Sequence, residues 1–335
     1  MGFSQRNELA WKKAKVAIRL MDEGKVDESI QLLKECEKID NEDYTYPYEM
    51  AYAYILKKDY ETAITILNKT KKYKNINDQV YQLSGNCYSY LNKPKLAIKE
   101  YEQGMKKFPN AGNLHLEKGN IFLIQEKYED AIENYRNGIA AEPNFSSNYY
   151  RLALLYLNST DRLSGLFYGE IFMNLERSTQ RTTEMSKLLY DGYKKSIKFN
   201  DTNVATDFCE VILNIENKEF KMPFCAIFVK DFILGITTQK EINLNTLSEI
   251  RTNFIKNFFK DDYKNYSNII LDYNKKMLDE GILDTYNKYL FQIGSEEEFS
   301  IWKDDNIETY DTFLEWYSNP ENYLKITDEN KFIKL

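Results

Sequence analysis

Small, large and polar positions recur along the first half of the chain with a constant period. Ala17, Ala51, Gly85, Gly119 and Ala153 stand 34 residues apart at every step. Three residues after each comes a large side chain: Leu20, Tyr54, Tyr88, Phe122 and Tyr156. Twelve after each comes a second small one (Ser29, Ala63, Ala97, Ala131, Gly165), and sixteen after come Leu33, Leu67, Tyr101, Tyr135 and then Gly169. The spacing predicts five units, beginning near residues 10, 44, 78, 112 and 146, each a pair of amphipathic helices. A small residue marks where two helices touch closely, because a larger side chain would hold their backbones apart. The large residue three positions on shares that face. A single hairpin cannot bury its apolar stripe, so the units must stack. Pro109 and Pro143 close two of them by stopping the second helix.

The pattern resembles the tetratricopeptide repeat (TPR). The clearest units are Asp78–Asn110, with Gly85, Tyr88, Ala97, Tyr101 and Pro109, and Gly112–Asn144, with Gly119, Phe122, Ala131, Tyr135 and Pro143. Residues 10–179 carry the resemblance. It implies an all-α fold: a right-handed superhelix of five helix-turn-helix repeats. Three departures stand out. Lys13 replaces the usual aromatic, Gly169 occupies a normally large position, and Arg177 stands where a closing Pro belongs. The second helix of the fifth unit is therefore expected to run past its usual stop. Residues 180–199 keep helical spacing (Met185, Leu188, Leu189, Tyr193, Ile197), but Lys187 fills the small position, so they are expected to form a capping helix.

Beyond residue 199 the pattern changes. A short β-hairpin is allowed near 203–222, where β-branched and aromatic runs alternate with turn residues. Helical spacing then returns at Ile250–Phe259, Ile269–Leu278, Tyr286–Phe291 and Tyr310–Trp316, with capping-box sequences at Thr246–Glu249 and Ser295–Glu298. The expected organisation is a repeat solenoid with capping helix over 10–199 and a mostly helical domain over 200–335. The run from Phe167 to Arg177 and the tail beyond it resemble Bacteroidetes-type TPR proteins with an uncharacterised helical C-terminal region, which implies no activity.

Charge excludes some partners. Residues 1–160 hold 23 Lys/Arg against 22 Asp/Glu, and residues 161–335 hold 22 against 30. Neither half has the excess of a phosphate-backbone binder, so no nucleic acid is expected. No apolar run approaches the ~18 residues of a membrane span, and Met1–Leu20 lacks the apolar core of a secretory signal. The four Cys (Cys36, Cys87, Cys209, Cys225) are far apart with no C-x-x-C pair. Neither a disulfide framework nor a zinc site is expected, and a reducing, cytoplasmic setting fits.

Candidate chemistry is sparse. His115 is the only histidine, and Tyr81 and Tyr149 hold the same repeat position beside it, which reads as packing rather than acid–base work. The acidic runs Asp261-Asp262, Glu296–Glu298 and Asp304-Asp305 sit where helices are expected to start, which suits the helix dipole. No phosphate loop, metal set or cofactor motif is present. By the family resemblance, the first helices line a concave groove. Positions five and nine of the units then place Tyr48, Tyr52, Gln82, Asn86, Leu116, Asn120 and Tyr150 in it. Carboxamides suit the backbone of an extended peptide, and tyrosines add flat contact area. A chaperone-type carboxylate clamp needs Lys, Asn and Arg at set groove positions, which Tyr48 and Gln82 do not supply. The leading expectation is a non-enzymatic scaffold binding a peptide or protein segment. The alternatives are an enzyme with its site in 200–335, or a regulatory subunit that self-assembles through the helix around Trp316.

Overall fold

The structure, a computed structural model, describes residues 7–200, 203–211 and 222–333. Seventeen α-helices and one two-stranded hairpin occur among them, and the chain packs as two compact units, Met1–Glu142 and Pro143–Leu335. The fold is an all-α helical repeat, as the pattern requires.

The first unit holds four helical hairpins: α1 (Glu8–Asp22) with α2 (Val26–Ile39), α3 (Thr45–Leu56) with α4 (Tyr60–Thr70), α5 (Gln79–Tyr90) with α6 (Pro94–Lys107), and α7 (Gly112–Ile124) with α8 (Tyr128–Ala141). Facing residues are matched in volume. Ala17 and Ala51 are buried with Leu33 and Leu67 at the partner position. Gly85 and Gly119 instead face tyrosines, and a Cβ on Gly119 would lie 2.5 Å from the Tyr135 ring, with Gly85 more crowded still by Tyr101. Ala-with-Leu is thus used twice and Gly-with-Tyr twice, keeping interhelical volume nearly constant.

The turns inside these hairpins also repeat. Gly24, Lys58, Asn92 and Glu126, each 34 residues from the next, have φ of 78°, 61°, 55° and 59°. Each follows a helix that ends in a Schellman motif. In the second hairpin, Asp59 N–H donates to Tyr54 C=O (2.9 Å) and Lys58 N–H to Ile55 C=O (2.8 Å), and the same pairs recur in the other three.

The second unit opens with α9 (Ser146–Leu157) and α10 (Arg162–Leu175), followed by α11 (Gln180–Ser196). Contrary to expectation, α10 ends at the usual place: Thr179 starts α11 with a capping box to Thr182, so no proline is needed. Gly169 is accounted for by α11, whose Met185 and Leu189 lie 2.8 Å from where its Cβ would be. A hairpin of β1 (Ile197–Phe199) and β2 (Val204–Thr206) follows, with Lys198 opposite Ala205. Its second strand falls within the expected span of 203–222 and its first lies upstream of it, while 212–221 falls outside the described residues.

The remainder is α12 (Phe224–Gly235), α13 (Leu244–Asp261), α14 (Ile269–Asp279), α15 (Leu283–Leu290), α16 (Glu296–Asp305) and α17 (Ile307–Ser318). Helix α12 was not foreseen. Its Phe228 and Phe232 enter an aromatic core with Tyr193, Phe208 and Phe254. The capping-box reading at Thr246 moves upstream: Asn243 is the N-cap and Thr246 its reciprocal partner. Ser295 precedes α16 as expected but makes no side-chain cap, and Glu298 instead accepts from Leu244 N–H of α13 (2.7 Å). Asp261-Asp262 and Asp304-Asp305 lie at helix C-termini rather than starts, where Lys230 pairs with Asp262. Trp316 packs on Tyr273 within the unit.

Cys209 and Cys225 form a disulfide (Cα–Cα 6.3 Å), tying the segment after β2 to the first turn of α12. This corrects the expectation that the cysteines form no disulfide framework. Nothing in the spacing announces the pair, and the fold alone makes them neighbours. Disulfides persist in oxidising surroundings, so the argument for a reducing compartment lapses. Cys36 and Cys87 are free and buried. Among the described residues no helix is long and apolar enough to cross a membrane.

Candidate partner-binding face

The volume exchange at Gly85 and Gly119 has a consequence on the first-helix face. Each glycine admits a tyrosine from the second helix of its hairpin, and each tyrosine reaches an asparagine one residue beyond the glycine. Tyr101 Oη donates to Asn86 Oδ1 at 2.6 Å, and Tyr135 Oη to Asn120 Oδ1 at 3.0 Å. The two asparagines are therefore held by their carbonyl ends in equivalent poses. Burial pushes the phenol of Tyr101 up strongly, which keeps it a neutral donor.

The asparagines differ beyond that. Asn86 Nδ2 has no protein acceptor among the described residues, so a donor is left for a partner. Asn120 Nδ2 lies 3.3 Å from Glu117 Oε2. Gln82 Nε2 donates to Glu117 Oε1 (2.9 Å), and Asn113 Nδ2 donates to both Gln82 Oε1 (2.9 Å) and Asp78 Oδ2 (2.6 Å). Asp78, Asn113 and Glu117 thus join Gln82 and Asn120 in one chain of hydrogen bonds between the α5 and α7 hairpins. These three were missed. Their 35- and 31-residue separations are near the repeat period, which is the signal that was available.

Tyr52 is 42% exposed. Tyr48 and Leu116 are half-buried. The Tyr48 phenol is pushed up to about 12 by burial, with Glu49, Tyr44, Tyr52 and Asp78 adding repulsion, and burial also raises the Glu49 carboxyl. Tyr150 departs from the expected role. It belongs to the second unit, is buried, donates to Glu184 (2.5 Å) and packs on Phe172. Its ring is used for packing because α11 covers it. A further set was not anticipated: Leu56, Tyr90 and Ile124 hold one repeat position near the ends of α3, α5 and α7, all exposed, Ile124 at 80%.

His115 is half-buried, and its Nδ1 has no partner among the described residues. Burial, then Lys118, lowers its pKa. Tyr81 and Tyr149 at the equivalent position are buried packing residues.

The second unit holds a buried ion-pair cluster. Arg251 and Glu170 are 5% and 1% exposed and pair at 2.8 Å. Arg251 also donates to Asn287 (2.8 Å) and Tyr193 (2.5 Å), while Glu170 accepts from Asn274 (3.1 Å) and Tyr286 (3.2 Å). The adjoining cavity is about 10 Å3. That is room for about one water, so the cluster fastens helices and does not receive a substrate.

Residues 78–106 match the family model for the tetratricopeptide repeat, and 119–159 match a further TPR repeat model. The chain carries tetratricopeptide repeats over these residues. It is 33% identical over 99 residues to Hsp70-Hsp90 organizing protein 1 of Arabidopsis thaliana, covering 30% of this chain and 16% of that relative. It is 26% identical over 143 residues to BBSome complex member BBS4 of Bos taurus, covering 40% and 26%. Among solved structures it is similar to TTC0263, a thermophilic TPR protein of Thermus thermophilus (TM-score 0.43, 16% identity, 54% of this chain and 98% of that one). It is also similar to MamA from Desulfovibrio magneticus RS-1 (TM-score 0.39, 20% identity, 52% and 99%).

Proposed function

We propose that the chain is a non-enzymatic adaptor whose first-helix face over α3, α5 and α7 binds an extended segment of another protein. The observation that carries this is the row Leu56, Tyr90 and Ile124. Three large apolar side chains stand exposed at one repeat position, and apolar surface left open in this way marks an interaction site. Tyr52 and the unpaired Asn86 donor extend it with flat area and a hydrogen bond for a partner's backbone carbonyl.

Charge narrows the partner. Glu49, Asp78 and Glu117 supply negative charge to the face, while Tyr48 and Gln82 stand where a clamp for an acidic terminus needs cations. The similarity to Hsp70-Hsp90 organizing proteins supports protein binding in general. The side chains here favour a neutral or basic segment over one ending in carboxylates.

The test is selection from a displayed peptide library against the full chain. Tyr52→Ala with Tyr90→Ala removes two exposed rings without opening the core. It should weaken the selected peptides at least about tenfold if the rings are interface anchors. Peptides that bind the double variant equally, or a selected pool dominated by acidic C-termini, would count against the face as described.

A further inference from the structure

The second unit contains a cavity of about 660 Å3 that plays no part in the partner-binding reading. Its size lies within the range of small-molecule sites, roughly 300–1000 Å3. One wall is a continuous line of rings. Tyr266 lies 6.2 Å from Phe224, Phe224 lies 5.6 Å from Phe167, and Phe167 lies 5.7 Å from Phe332, centroid to centroid. The Tyr266 hydroxyl is committed to Met222 C=O (2.7 Å), so its ring is what the cavity sees. The disulfide pins this wall, since Cys225 lines the cavity and Cys209 adjoins Glu210.

Two buried polar side chains also line it. Ser164 is 5% exposed and Asn268 8% exposed. The backbone N–H of Ser164 is capped by Asp161, and Asn268 Oδ1 caps Ile270 N–H (3.0 Å). Yet the Ser164 hydroxyl and Asn268 Nδ2 have no protein partner among the described residues. Neither atom is fully enclosed, and both residues line the cavity, so both are open to bond something in it. Two exposed carboxylates, Glu210 and Glu329, also line the cavity, and the lining lysine, Lys331, is paired with Asp328 (2.8 Å).

We propose that this cavity binds a small organic amine with an aromatic body and a polar tip. The rings hold the body, the exposed carboxylates hold the ammonium, and Ser164 and Asn268 meet the tip. Aromatic faces and carboxylates both favour a cation, and the inner hydroxyl and amide distinguish a tipped ligand from a plain hydrocarbon tail.

A matched probe set tests each part on the full chain by ligand-observed NMR and calorimetry: tyramine, phenethylamine without the hydroxyl, tyrosol without the charge, and 4-hydroxyphenylacetate with the opposite charge. Tyramine should bind best and 4-hydroxyphenylacetate worst. Glu210→Gln with Glu329→Gln, both at exposed positions, should weaken tyramine about fivefold and leave tyrosol unchanged. Ser164→Ala should weaken tyramine about threefold and leave phenethylamine unchanged. Ile269→Trp, which fills the cavity, should abolish all binding, with a retained thermal transition showing that the chain still folds. No tyramine binding at about 5 mM would overturn the proposal. So would equal binding of the anion, or binding that survives Ile269→Trp.

Discussion

Lys58 and Glu126 occupy a backbone conformation that costs an ordinary L-residue about 1 kcal/mol or more. Gly24 holds the same place in the first hairpin, and Asn92, in the third, tolerates it better. Lys58→Gly and Glu126→Gly should therefore each raise stability by about 0.5–1 kcal/mol, and Asn92→Gly by less. Chemical denaturation checks this as a higher midpoint with unchanged slope. His115 gives a pH-dependent counterpart. Its pKa is lower in the folded chain than the ordinary 6.5, so the unfolded chain takes up a proton that the folded one resists. Stability from this residue is complete above about pH 6.5 and declines as pH falls through the folded pKa. Unfolding measured from pH 7.5 to 5 should show the wild type losing ground against His115→Gln. Parallel profiles would show that the imidazole does not titrate differently on folding.

At the level of helix pairs, the exchange of Ala-with-Leu for Gly-with-Tyr links packing to the candidate face. Gly85→Ala drives a methyl into the Tyr101 ring and should cost about 1–3 kcal/mol. Adding Tyr101→Leu reproduces the pairing of the first two hairpins and should recover much of that loss. It also frees Asn86 Oδ1, so partner binding should not recover with stability. A double-mutant cycle read by both unfolding and peptide affinity separates the two effects. The elements themselves were largely legible. Hairpins α1–α2 to α9–α10 lie where the period puts them, because their side chains meet at constant sequence separations. Helix α12 was obscured by Lys230 and Asp231 in an otherwise apolar run. Lys230 pairs with Asp231 beside it (3.2 Å) and with Asp262 at the end of α13, a partner 32 residues away that no local pattern reveals.

Over the second unit as a whole, helices α10, α11, α13, α14 and α15 are joined by Glu170, Arg251, Tyr193, Asn274, Tyr286 and Asn287. Removing one charge strands the other in the interior. Glu170→Leu or Arg251→Met alone should cost about 3–5 kcal/mol, while the double replacement should cost far less than the sum. Thermal or denaturant unfolding of the four chains measures the coupling. Additive losses would mean the pair is not the fastening that its geometry indicates.

The sequence by itself determined the repeat period, the helical class, the hairpin boundaries and the first-helix position of Asn86 and Asn120. All of these rest on contacts within a hairpin or between adjacent hairpins, which a fixed spacing encodes. Tertiary structure decided the rest. It joined Cys209 to Cys225, buried Tyr150 beneath α11, brought Glu170 to Arg251 across 81 residues, and left Ser164 and Asn268 facing an open cavity. Such pairings are made once, between elements of unrelated spacing, so they leave no periodic trace in the chain and appear only when the packed faces meet.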